Sequence, residues 1–287
     1  MKIKKIKPAI LVFILFSLFG CESMISDVAV PESKPKLVIN SYISAENDTL
    51  KVNIQESRPL YVPSSNYEFG YPVVTDATVK ISDGSKSITL IYNDIQKKYI
   101  AISDVFNIEP GSTYYLEVTT PRGDLATSRC TIPVSVIPEI EITNIETFND
   151  YGYIEKVVSF RFKDVAGEGD FYHVQAGILY VTEFGEDFMG ETYLEKGEPF
   201  DSDVNKDGSY FLYKTGRIGG QDPNQTWLHI YIFIGVTDEN YFNYHRSVTN
   251  FQDDNPFSEP TPVYTNITGG LGVFGSYSGR IISINLK

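Results

Sequence analysis

Apolar and polar positions alternate with a period of two along most of this chain. Leu50, Val52 and Ile54 alternate with Lys51, Asn53 and Gln55; Ala77, Val79 and Ile81 alternate with Thr78, Lys80 and Ser82. Tyr114, Leu116 and Val118 alternate with Tyr115, Glu117 and Thr119. Successive side chains of a strand point to opposite faces, so this pattern predicts strands with one face in a core and one in water. Asp83-Gly84 and Pro110-Gly111 supply turn chemistry between them. Short strands punctuated in this way predict a β-sandwich of immunoglobulin or fibronectin type over residues 37–135. Pro133 and Pro138 bracket a connector, and a second β domain is expected over 138–287. There Val158, Phe160 and Phe162 oppose Ser159, Arg161 and Lys163, and Trp227 to Val236 is almost continuously apolar, as a strand covered on both faces would be. The segment 238–251 breaks the period. It opens with acidic residues and spaces Tyr241, Tyr244 and Val248 at helical intervals, so it predicts one helix capped near Thr237 or Asp238. Ile281 to Leu286 forms a last strand, and no repeat at solenoid periods is present. The expected fold class is all-β: two tandem sandwiches, with one helix in the second.

The first 36 residues follow a different pattern. Lys2, Lys4, Lys5 and Lys7 precede an apolar stretch from Ala9 to Phe19, which is shorter than the roughly 20 residues a spanning helix needs. A basic start and a short apolar run predict a cleaved export signal over residues 1–20. Leu18-Phe19-Gly20-Cys21 resembles a bacterial lipobox, with a leucine three positions before the cysteine and a small residue directly before it; Phe19 is the unusual occupant. The Cys21 thiol would receive a covalent lipid, the one cofactor-like group expected, and anchor the mature chain to a bilayer. An ordinary secretory signal with an incidental cysteine is the competing reading. Residues 21–36 hold Pro31 and Pro35 and no sustained period, which predicts a flexible tether.

Charge sharpens this picture. The chain carries a net charge of −13, and removal of the lysine-rich signal takes it to −17. Such a surface argues against nucleic acid and against electrostatic attachment to anionic lipid, which leaves the acyl chain to hold it. Cys130 is the other cysteine of the two. With Cys21 acylated it has no disulfide partner, and its place in an alternating segment predicts a small buried side chain.

Among candidate chemical motifs, Asp201, Asp203, Asn205 and Asp207 stand out. Asp203, Asn205 and Asp207 occupy positions 1, 3 and 5 of a calcium loop, Gly208 stands at the sharp turn, and Asp201 can serve as an extra ligand. Lys214 stands where a bidentate acid is required, and the residues after the loop read as a strand. A polar hairpin turn is therefore the reading these residues favour over calcium. Gly270-Leu271-Gly272-Val273-Phe274-Gly275 has the spelling of a dinucleotide fingerprint but is followed by turn and strand residues, so the glycines read as sites of close packing. His173, His229 and His245 have no partner at metal-ligand spacing, Gly275 to Gly279 has Tyr277 where a nucleophile elbow needs serine, and no spacing selects a carboxylate pair. No enzyme is expected. Aromatic residues in loops are the remaining signal. Tyr61, Tyr67, Phe69 and Tyr71 fall among Pro59, Pro63, Gly70 and Pro72; Phe148, Tyr151 and Tyr153 form a second group, and Phe184 and Phe188 flank Gly185. Rings on a rigid scaffold suit binding of a sugar, peptide or partner, and equally suit lids over the sandwich ends.

Asn255-Pro256-Phe257-Ser258-Glu259-Pro260, followed by the run from Thr265 to Gly275, closely resembles the ending of a family of Bacteroidota lipoproteins known as domain of unknown function 4249. Lys36 to Asn40, Asp76-Ala77 and the Pro110-Gly111 turn leading to Tyr114 come in that family's order, so the resemblance spans nearly all of the mature chain. Members are often encoded beside TonB-dependent outer-membrane receptors. The resemblance implies a non-catalytic lipoprotein of the outer membrane that assists such a β-barrel in capturing a nutrient or ligand. A stand-alone surface module or adhesin for glycan or protein is the alternative. Glu22 and Asp27 do not decide whether the protein faces the periplasm or the cell surface.

Overall fold

A computed structural model describes residues 34–58, 72–134, 136–150, 153–181, 187–219, 226–251 and 262–285. Seven strands come first: β1 (Leu37–Ile43), β2 (Thr49–Glu56), β3 (Thr78–Ser82), β4 (Ser87–Asn93), β5 (Lys98–Ile102), β6 (Thr113–Thr119) and β7 (Leu125–Thr131). The long strands β8 (Glu141–Asp150), β9 (Tyr153–Lys163) and β10 (Phe171–Val181) open the second half. Five shorter ones come next: β11 (Asp187–Thr192), β12 (Leu194–Lys196), β13 (Phe200–Ser202), β14 (Tyr210–Thr215) and β15 (Ile218–Gly219). Then come β16 (Thr226–Thr237), helix α1 (Glu239–Thr249) and β17 (Leu271–Asn285). The chain is all-β, with two sandwiches and, among the described residues, one α-helix, as the alternation predicts.

In the first sandwich, β4 does the folding over. Its opening residues pair with β3 and its closing residues, Ile91 to Asn93, pair with β5. One strand thus belongs to β1-β2-β5-β4 at one end and to the β3-β6-β7 layer at the other. The inward positions of both layers, among them Ile39, Val52, Ile54, Val79, Ile81, Leu116 and Val118, are sealed into one core. Tyr114 fixes the corner after the Pro110-Gly111 turn: its hydroxyl donates to the Asn107 carbonyl at 3.1 Å and accepts from the Glu109 N–H at 2.8 Å. That back-bonded tyrosine is a hallmark of Greek-key sandwiches. Cys130 lies in this core, as expected of a small apolar side chain.

The second sandwich sets β10 and β16 against β9 and β14, with an aromatic stack between them. Phe160 and Phe162 lie nearly parallel to Tyr213 at 5.2 and 5.7 Å, and Phe211 stacks on Phe162 at 5.0 Å. These rings are the alternate, inward residues of two adjacent strands, so the period of two places them on one face.

A single strand joins the two halves. Leu271 to Ser276 of β17 run parallel to Val38 to Ile43 of β1, and Tyr277 to Asn285 run antiparallel to β16. The result is a continuous sheet in the order β11-β10-β16-β17-β1-β2-β5-β4-β3-β6-β7. Although the sequence boundary falls near residue 138, Ile267 and Phe274 pack into the first core. Asn266 explains how the approach to β17 is held. Its side-chain oxygen accepts from the Phe274 N–H at 3.0 Å, and its amide donates to the Phe274 carbonyl at 2.7 Å. Thr268 and Thr127 exchange two backbone hydrogen bonds at 2.9 and 3.0 Å.

The glycines of the rejected nucleotide fingerprint have packing roles. Gly272 has φ +99° and lies opposite Ile39, where a Cβ would overlap the Ile39 carbonyl oxygen. Gly275 lets α1 settle onto the strand, since its missing Cβ would press on Tyr241. Asp238 caps the helix by accepting from the Tyr241 N–H at 2.9 Å, and the same oxygen accepts from the Ser276 N–H of β17 at 3.1 Å. Helix and shared strand are therefore tied by one carboxylate.

Substitution of Gly272 by Ala should cost about 3 kcal/mol, from positive-φ strain plus the backbone overlap, and lower Tm by about 8 °C. Gly123→Ala, at φ +91° with open space around it, should cost about 1 kcal/mol. Thermal unfolding followed by circular dichroism measures both; equal losses would remove the packing role of Gly272.

Candidate functional site

The strands that feed the cores also generate a groove on the opposite face. In β1, Leu37, Ile39 and Ile43 point inward, which turns Asn40 and Tyr42 outward. The same alternation turns Lys51 and Asn53 outward on β2, where Asn53 lies directly across from Asn40. Across the shared strand come Tyr277 of β17, Phe233 of β16, and His173 and Gln175 of β10. Tyr241 of α1 forms a wall, and Asn47 and Asp48 of the β1–β2 loop close one end. The groove encloses about 710 Å³, within the roughly 300–1,000 Å³ of ligand sites. A second groove beside Lys80, Tyr115 and Arg129 is similar in size, about 720 Å³, but has one aromatic ring in its lining.

Rings and amides dominate the first groove. Tyr42 meets Tyr241 edge-on at 5.0 Å, Tyr241 approaches Tyr277 at 5.9 Å, and Phe233 approaches Tyr277 at 6.2 Å. Asn47 donates to the Tyr277 hydroxyl at 3.2 Å and fixes that ring. The Asn40 side-chain oxygen is buried and has no hydrogen-bond partner, an acceptor for which the protein supplies no donor. Apolar ring faces with amide donors and acceptors between them suit a polar ligand that has flat apolar surfaces, such as a sugar or an extended peptide.

Behind the groove lies an aromatic and histidine stack. His173 Nδ1 and the Tyr241 hydroxyl share a hydrogen bond at 2.9 Å. The His173 ring stacks on Phe200 at 4.6 Å, and Phe200 stacks on His245 at 5.0 Å. Burial, reinforced by His245, pushes His173 down to about 3, and burial pushes His245 down to about 4. Both imidazoles are neutral at pH 7. Burial also raises the Tyr42 and Tyr241 phenols above the usual tyrosine range. The interior of the site is thus neutral and hydrogen-bonding, with Lys51, Lys98 and Asp48 supplying charge at its rim.

The residues singled out in the sequence are placed differently. Cys21, Tyr61, Tyr67, Phe69 and Tyr71 lie outside the described residues, as do Tyr151 and Phe184. Phe148 and Tyr153 belong to the β8–β9 hairpin instead of a loop, and the Phe148 ring carries the Arg217 guanidinium at 4.3 Å. Phe188 lies in β11. The histidines look scattered in the sequence, yet the fold brings His173 and His245 within 6.3 Å, ring centre to ring centre. The i, i+4 pair Tyr241 and His245 is the local signal that points to this site.

The four calcium-loop residues do not converge on one point. Asp201 pairs with Lys206 at 2.8 Å, Asn205 adopts a left-handed φ of 61°, and Asp207 accepts from the Gly167 N–H at 2.8 Å. Asp203 turns inward instead, to join Asp164 and Asp170. The Cys130 thiol is raised well above its usual range by burial and by the nearby Asp238 carboxylate, which leaves it inert.

A family model described as "Domain of unknown function (DUF4249)" matches residues 25–280, and the chain belongs to that family. Among curated proteins, none matches the chain. Among the described residues, no helix is long and apolar enough to cross a membrane.

The two histidines make stability pH-dependent. Their folded values lie below the unfolded 6.5, so the stability they contribute is present above pH 6.5 and lost as pH falls through about 4 and about 3. Asp238 has the opposite sign. Burial raises it from 3.8 to about 6, so its contribution is present below 3.8 and lost as pH rises through about 6. Two histidines against one carboxylate predict a net fall in Tm between pH 6.5 and 4. The slope should be shallower in His245→Phe, measured by scanning fluorimetry across that range; an unchanged slope would exclude His245 as a contributor.

Proposed function

We propose that this DUF4249 protein is a non-catalytic binding protein of the bacterial outer membrane, anchored by an acyl chain on Cys21. In this reading it presents the groove between its sandwiches to a ligand that it helps to deliver to a TonB-dependent β-barrel receptor. The observation that carries the proposal is the groove itself: Tyr42, Tyr241, Tyr277 and Phe233 ring a floor of Asn40 and Asn53 on one continuous sheet. The lipobox at Leu18 to Cys21 supports the anchor, and residues 21–36 supply the tether. The strongly acidic mature chain supports attachment through lipid alone.

The outer face of the sheet also favours a protein partner. Ile91 and Ile102 are 74 % and 63 % exposed, and Ile100, paired with both Ile91 and Lys51, connects this apolar strip to the groove rim. An exposed apolar strip beside a polar groove is suited to docking beside the ligand site. Without that docking, the groove serves equally as a stand-alone surface module for glycan or protein, which is the second reading.

Two measurements separate these. Lipidated protein isolated from cells in mild detergent after crosslinking should bring down a large β-barrel, with less recovered for an Ile91→Asp and Ile102→Asp variant; monomer alone would count against the receptor role. Glycan and peptide arrays probed with the same protein should give binders that Tyr277→Ala weakens at least about tenfold, the loss of about 1.4 kcal/mol. Binding untouched by that substitution would move the ligand elsewhere.

A further inference from the structure

One end of the second sandwich gathers three aspartates from separate segments, none of which lines the groove. Asp164 follows β9, Asp170 precedes β10, and Asp203 follows β13. One carboxylate oxygen of each lies within 4.8 Å of the other two. Calcium–oxygen bonds of about 2.4 Å give a coordination sphere about 4.8 Å across, so the three oxygens fit one ion.

The decisive observation is Asp203. The residue is 1 % exposed, its Oδ2 accepts from the Gly169 N–H at 2.8 Å, and its Oδ1 is buried with no hydrogen-bond partner. A buried carboxylate oxygen with no donor is a costly arrangement, and a bound cation is a common resolution. Asp164, 4 % exposed, is already aimed: the Tyr172 hydroxyl donates to Oδ1 and the Gly208 N–H to Oδ2 at 2.7 Å, which orients the carboxylate and leaves lone pairs on both oxygens. Lys206, the loop's one lysine, is held by both oxygens of Asp201 at 2.8 and 2.9 Å and is committed there.

We propose that Asp164, Asp170 and Asp203 bind a calcium ion that pins the β9–β10 turn to the β13–β14 loop. The donor set is oxygen only, which disfavours zinc and copper. Magnesium needs a sphere only about 4.2 Å across and strict octahedral geometry, whereas calcium accepts an irregular set completed by water at the partly exposed Asp170. The site shares only Asp203 with the linear loop motif, and none of its three aspartates lines the groove.

The test uses the full chain after treatment with a chelator. Calcium chloride at about a hundredfold above Kd should raise Tm by about 5 °C or more. Terbium should show emission sensitised through Tyr172, which calcium displaces. Asp203→Asn should lose both responses, and Asp170→Asn, at the more exposed position, should weaken calcium at least tenfold while it folds normally. Asp201→Asn should keep them. No calcium-dependent shift and no terbium emission in the unmodified protein would overturn the proposal, as would unchanged affinity in both Asp203→Asn and Asp170→Asn.

Discussion

The groove in this protein depends on one strand having two partners. β17 lies parallel to β1 through its first half and antiparallel to β16 through its second. Without it, β1 would present an open row of N–H and C=O groups, and so would β16, each a liability for aggregation. With it, the strands of the first sandwich and the β10-β16 layer of the second become one sheet, while each sandwich keeps its own core. The pairing links the first described strand of the chain to the last, so it is among the least local contacts available, and such contacts form late and slowly.

The details of β17 reflect that double duty. Gly272 must let the backbone approach Ile39, and Gly275 must let α1 lie across the strand. Asn266 stands in for a missing neighbouring strand by bonding both main-chain groups of Phe274. Asp238 serves helix and strand together and sits buried as a result, which is why its carboxyl titrates near 6 instead of near 3.8. The groove is then a by-product of continuity. Its walls come from β10, β16, β17, β1 and β2, and no half of the chain contains it alone.

Much of the fold is legible in the sequence because it rests on local periodicity. The alternation of Leu50 to Gln55 and of Val158 to Lys163 reads directly as strand, and the acidic opening of 238–251 reads as a capped helix; the structure places that helix at Glu239–Thr249 with Asp238 as its cap. The lack of a helical pattern after Gly275 suffices to separate the glycine run from a nucleotide site; the turn expected there is absent, since β17 runs unbroken from Leu271 to Asn285. The groove is not legible, because Tyr42, His173, Tyr241 and Tyr277 meet only through long-range pairing that no window of sequence contains. The acidic cluster is half legible. Asp203 carries a recognisable local pattern, while Asp164 and Asp170 reach it from the far side of a turn.

Native-state hydrogen exchange in increasing denaturant tests the shared strand most directly. If β17 welds the sandwiches together, amides of β1 and of β16 should lose protection at the same denaturant concentration and with the same opening free energy. Exchange of β10 and β16 while β1 and β2 remain protected would show two independent units, and a groove built across them would not be a fixed site.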